Sequence, residues 1–191
     1  MDEFSLYVLD ITMNSVRAGA ENIDVSLREE GEWLYFTVTD NGCGMSAEQV
    51  RKLSDPFFTT RKTRKVGLGI PFLTMLAEMT GGHVTIRSTP AVNEETGAPN
   101  PDHGTVVESV FGRNHLDFIP LGDMVETVKT LIQGSPDVNF TYTHEMPGGK
   151  VELSCAQLKA MLGDEIPLST PEILSWIGGY LAEQYAEAEG N

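Results

Sequence analysis

Apolar residues Leu6, Leu9, Met13, Val16 and Ala20 recur at helical spacing through residues 4–20, which predicts an opening helix. Asp10, Asn14 and Arg17 fall at i, i+4 and i+7 and share a second, polar stripe of it. Residues 22–28 (NIDVSLR) and 33–39 (WLYFTVT) alternate instead, and the EEGE between them makes a β-hairpin. DNGCGM follows, then Ser46 as a cap and a helix to about Leu53. Residues 55–66 are irregular, and 67–79 return to the helical period. Residues 83–88 and 105–111 read as two more strands. STPAVNEETGAPNPDH joins them, rich in turn formers and acid, and predicts an exposed loop.

Past Gly112 the pattern changes. It predicts a helix over 121–132, a strand pair at 138–143 and 150–154 across MPGG, and helices near 155–162 and 171–188. The expected class is α+β, with one domain over residues 1–113 and a small α+β unit over 114–191.

Charge sharpens this picture. The 191 residues carry 28 acids against 13 bases, a net charge of −15, which disfavours nucleic acid and anionic lipid as partners. Residues 114–191 hold 12 of the acids and 3 of the bases. Six bases (Arg51, Lys52, Arg61, Lys62, Arg64, Lys65) crowd into fifteen positions with one acid, Asp55, and such an island suits a local anion. No apolar run approaches the roughly 18 residues of a membrane span, and the acidic start MDEFSLYVLD lacks the flank of a secretion signal. Cys43 and Cys155 fit no metal or redox spacing. The expected setting is the cytoplasm.

A lone Asp-Asn-Gly after a strand is ordinary turn chemistry. Four elements in order say more: a helix with an acid and an Asn four apart, DNGCGM, a basic segment containing PFFTTR, and GLGI opening a helix. Together with HGTVVESVF, these stretches resemble the nucleotide-binding boxes of the gyrase, chaperone, histidine-kinase and mismatch-repair ATPase superfamily. NSVRAGA is most similar to the mismatch-repair branch, and PFFTTR and GLGI to the kinase branch. The resemblance covers about residues 4–112 and implies the Bergerat fold, a two-layer sandwich of a mixed sheet with helices on one face. ATP would lie between the layers under a lid.

The resemblance implies ATP and Mg²⁺ as ligands and gives residues their roles. Asn14 offers a carbonyl oxygen to Mg²⁺, and Arg17, one turn on, a cation to a phosphate. Asp40 accepts from the adenine amino group, while Gly42, Gly44 and Met45 form the turn against the base. Arg61 falls where kinase relatives place a cation near the γ-phosphate, with Lys62, Arg64 and Lys65 as additional candidates, and Phe57 and Phe58 match lid aromatics. Gly67, Leu68 and Gly69 present backbone N–H groups at a helix start, and Thr105 matches a position that fixes adenine through water. Asp10 stands where the family's general base is usually Glu. Its side chain is one methylene shorter, so hydrolysis is expected to be slow. Lys65 replaces a glycine of the kinase pattern.

Ordinary histidine kinases carry a helical hairpin with a phospho-accepting His ahead of this domain. Here the nucleotide helix starts within the first residues, and His83, His103, His115 and His144 fall in strands or loops, so none is assigned that role. Three functions remain open. The first is an ATP-dependent regulatory switch on an unidentified protein partner. The second is a protein kinase acting in trans, as anti-sigma-factor relatives phosphorylate serine. The third is a slow ATPase acting as a homodimer.

Overall fold

A computed structural model describes residues 2–53, 69–163 and 166–190. Its frame is a six-stranded sheet in the order β3-β4-β2-β1-β5-β6. The expected hairpin is its centre: β1 (Asn22–Glu30) and β2 (Trp33–Asp40) pair antiparallel, with Ile23 opposite Asp40 and Glu30 opposite Trp33. β4 (Gly104–Gly112) pairs with β2 and places Thr105 opposite Asp40, and β3 (His83–Thr89) flanks β4.

Period-two burial turns one face of the sheet into a core. Ile23, Val25 and Leu27 of β1, Leu34, Phe36 and Val38 of β2, and Val107 and Phe111 of β4 are all buried on it. Four helices cover that face as neighbours: α3 (Gly69–Met79) beside α1 (Phe4–Arg17), α1 beside α4 (Met124–Gly134), and α4 beside α6 (Pro171–Glu189). Phe4 is the hub. Its ring stands edge-on to Phe36 and Phe111, with centroids 5.5 and 5.0 Å apart, and burying each such side chain contributes about 1.5–3 kcal/mol.

The start of α1 shows how the two ends of the chain are tied. Its N-cap residue, Glu3, makes no side-chain capping bond. Instead the Phe4 and Ser5 N–H groups donate to the Pro120 and Leu121 carbonyls at 2.8 Å, so the segment leaving β4 caps the first helix.

The boundary expected at residue 113 lies just past β4, and the sheet runs on across it. β5 (Asn139–Met146) pairs parallel with β1, Asn22 opposite Asn139, and β6 (Gly149–Ser154) closes that edge antiparallel. Residues 114–191 therefore extend the first sheet rather than building one of their own. A parallel partner is reached through a crossover, which α4 supplies, and such long-range pairing leaves no local mark in a sequence. α5 (Cys155–Leu162) packs beside β5. The free edge of β6 is closed by α6: the Gln184 amide accepts from Glu152 N–H at 2.9 Å and donates to its carbonyl at 3.1 Å.

A buried polar cluster pins α6 to this extension. Tyr185 Oη lies 2.9 Å from His144 Nδ1 and 2.6 Å from Tyr142 Oη. His144 Nε2 faces Glu29 Oε1 at 3.3 Å, outside hydrogen-bond alignment, and Arg113 bonds the other Glu29 oxygen at 2.6 Å. The His144 imidazole, opposed by partial burial and aided by Arg113, holds the Glu29 carboxyl below its usual range. Burial pushes the Tyr185 hydroxyl up to about 12 and raises that of Tyr142 well above its ordinary value. Among the described residues, no helix is long and apolar enough to cross a membrane.

Candidate functional site

The polar stripe of α1 forms as its spacing requires. Arg17 Nη1 donates to Asn14 Oδ1 at 3.0 Å and stands 4.0 Å from Asp10 Oδ1, so the three side chains meet along one helix edge. Asp10 lies beneath the start of α3. A Cβ at Gly69 would come 2.1 Å from Asp10 Oδ2, so a side chain there would push this carboxylate aside.

The turn after β2 is held on every side. Asp40 Oδ1 accepts from the Gly42 N–H at 2.8 Å, and Asp40 Oδ2 accepts from Ser15 Oγ at 2.5 Å. Asn41 Oδ1 takes the N–H groups of Glu21 and Asn22, both at 2.9 Å, which locks the turn to the start of β1. Cys43 N–H donates to the Ala18 carbonyl, Ala91 N–H donates to Cys43, and His103 Nδ1 lies 2.6 Å from the Gly42 carbonyl. Gly44 sits at φ +65°, and a Cβ there would meet the Thr89 carbonyl at 1.9 Å. That contact lets the turn lie directly on the end of β3.

Between helix layer, sheet and turn lies a cavity of about 510 Å³. Of the expected site residues, Asn14, Arg17, Asp40, Gly44, Met45 and Thr105 line it. Its apolar walls are Ile11, Leu53, Ile70, Ile86 and Val107. Asp10, Gly42 and Gly69 do not line it: Gly42 faces Ala18, and Asp10 and Gly69 face each other. Arg61, Lys62, Gly67 and Leu68 lie outside the described residues, as do Phe57, Phe58, Arg64 and Lys65. Among the described residues no three His, Cys, Asp or Glu side chains gather at a metal-sized site.

Two serines escaped the sequence reading. Ser15 is 5% exposed, next to Asn14 but on the buried side of α1, and a hydroxyl on an apolar stripe is the sign that marks it. Ser88 Oγ donates to the Gly104 carbonyl at 3.0 Å, accepts from Met45 N–H at 2.8 Å, and lies 2.8 Å from Thr105 Oγ1. It couples the turn to the strand that carries Thr105. The apolar walls are ordinary core residues in sequence, and nothing local sets them apart.

The arrangement is a deep apolar slot with an acceptor fixed at one end and an amide and a guanidinium at its mouth. That chemistry suits a flat heterocycle bearing an amino group and an anionic tail.

Comparison with known proteins agrees. Residues 2–112 match the family described as histidine kinase-, DNA gyrase B-, and HSP90-like ATPase. An uncharacterised sensor-like histidine kinase of Rhizobium meliloti is 39% identical over 77 residues, 38% of this chain and 14% of the relative. The sensor histidine kinase ZraS of Escherichia coli O157:H7 is 30% identical over 89 residues, 46% of this chain and 19% of the relative. The chain thus spans less than a fifth of the length of these two relatives. Among solved structures, the Aquifex aeolicus MutL ATPase domain complexed with ADP has the same fold, with a TM-score of 0.54 and 20% identity over 85% of this chain and 68% of that one. The matched residues make up more than half of the 191, and the chain belongs to the histidine kinase-, DNA gyrase B- and HSP90-like ATPase family.

Proposed function

We propose that the chain binds ATP with Mg²⁺ in the cavity between α1, β2, β4 and the Asp40 turn, and that the bound nucleotide controls a protein partner. The observation that carries this is Asp40. Two donors hold its carboxylate in a fixed plane at the end of an apolar slot, where it accepts from an adenine amino group and repels the carbonyl oxygen of guanine. The residues present fit the ligand. Ile11, Ile86 and Val107 give apolar surface for a ring, and the glycine at 44 keeps the turn close without a side chain in the way.

Asn14 and Arg17 would hold the phosphate end. Here Asn14 Oδ1 accepts from Arg17, so the oxygen suited to magnesium and the cation suited to phosphate are hydrogen-bonded to each other and would have to part to take up a ligand. Bound Mg²⁺ supplies charge neutralisation at the phosphates. Asp10 is the base candidate. Its carboxylate is short and tucked under Gly69, which supports slow hydrolysis rather than rapid turnover.

A second reading, phosphoryl transfer to a partner protein, draws support from the sensor histidine kinases among the relatives. Incubation with γ-labelled ATP and cell extract separates the readings. Label that stays on nucleotide over many minutes fits the regulatory reading. Label on a protein that appears only when the chain is added to the extract establishes transfer, and rapid release to water by the chain alone contradicts both.

A further inference from the structure

At the far edge of the sheet, Trp176 and Tyr180 lie one turn apart on α6 with their rings stacked, centroids 5.2 Å apart and planes within 6°. Neither is used by the core: they are 52% and 39% exposed, while Ile177 and Leu181 of the same helix are buried. They form one wall of a groove of about 490 Å³ floored by Thr141, Thr143 and Glu152 and rimmed by Met161. Thr141 and Thr143 alternate with the buried Phe140 and Tyr142, and Glu152 alternates with the buried Val151 and Leu153. Thr141, Thr143 and Glu152 therefore point away from the core face of the sheet, and α6 meets them at its β6 edge.

Charge selects what fits it. α6 carries Glu172, Glu183, Glu187 and Glu189 and no Lys or Arg. The three lysines of residues 114–191 are spent inside the chain: Lys129 bonds Glu126, Lys159 bonds the Asp137 carbonyl and Asn139, and Lys150 pairs with Glu152 at 2.7 Å. That last pair is solvent-exposed on both sides, so an incoming base can replace Lys150 at little cost. Exposed aromatic faces attract guanidinium and ammonium groups, and surrounding acid strengthens the attraction. A second copy of this chain, at net −15, or a nucleic acid would bring like charge instead.

We propose that this groove is the docking surface for a basic segment of another protein, with an arginine or lysine against the Trp176–Tyr180 stack and apolar side chains beside Met161. The surface is separate from the nucleotide cavity and shares no lining residue with it.

The test pans a displayed library of random 12-residue peptides on the full chain, with selected peptides re-measured in solution. Selected peptides should carry net positive charge. Their Kd should rise at least tenfold in Trp176→Ala and in Tyr180→Ala, and rise steeply between about 50 and 500 mM salt. Both variants should keep the wild-type unfolding midpoint and affinity for an ATP analogue. The proposal is overturned if no peptide is enriched or if the selected peptides are neutral or acidic. Equal binding by both variants, or a dimer that Trp176→Ala dissociates, overturns it too. Loss of ATP-analogue binding by the wild type would refute the nucleotide site and leave this outcome readable.

Discussion

Ser15 Oγ on α1 donates to Asp40 Oδ2 on β2 at 2.5 Å, joining two elements that bound the cavity proposed for the nucleotide. With the Gly42 N–H on the other oxygen, this leaves the carboxylate no freedom to rotate. An acceptor that does not reorganise on binding is the condition for base selection in an otherwise apolar slot.

Ser15→Ala removes one of the two donors and leaves a small residue on a buried stripe. ATP-analogue affinity should fall by about 1–2 kcal/mol, roughly 5- to 30-fold, with the fold intact. Calorimetric titration measures it, and a change below about twofold would release Ser15 from the site.

Gly44→Ala strains the turn twice, through the positive φ and through the Thr89 carbonyl. The turn should lift from β3 and lose the Met45 N–H bond to Ser88. We expect about 1–3 kcal/mol of destabilisation in chemical unfolding, together with weakened nucleotide binding. An unchanged midpoint would show that the turn tolerates a side chain there.

Asp10→Asn keeps shape and removes the base. Binding of the ATP analogue should stay within about threefold of wild type, while phosphate release drops about tenfold or more. Equal phosphate release by both proteins takes Asp10 out of catalysis.

The cluster around His144 gives stability a signature at each end of the pH scale. Glu29 titrates below its unfolded value, so its contribution is present above the usual carboxylate range and is lost as pH falls through the lowered value. Tyr185 titrates at about 12 rather than 10, so its contribution is full below pH 10 and disappears between 10 and about 12. Tyr185→Phe leaves His144 Nδ1 and Tyr142 Oη without this partner and should cost roughly 1–3 kcal/mol at neutral pH. The variant should also show a weaker loss of stability above pH 10 in unfolding curves. A variant with the wild-type alkaline profile would assign that loss to other groups.

What the sequence made legible follows from range. The Asp10, Asn14, Arg17 stripe spans two helical turns, and the Asp40 turn follows directly on a strand, so both are local and both appear where expected. The strand pair at 139–154 was equally visible as strands. Its pairing with β1 was not, because Asn139 meets Asn22 across more than a hundred residues. Ser15, Ser88 and His103 act by reaching from one element to another, and their roles exist only once α1, β3 and the 90–103 loop are set around the turn.

The most direct measurement is calorimetric titration of a non-hydrolysable ATP analogue, with and without Mg²⁺, into the wild type and Asp40→Asn. Wild type should bind one equivalent, more tightly with Mg²⁺, and Asp40→Asn should bind at least tenfold more weakly while unfolding at the wild-type midpoint. No heat of binding to the wild type, or equal affinity in the two proteins, would contradict the site.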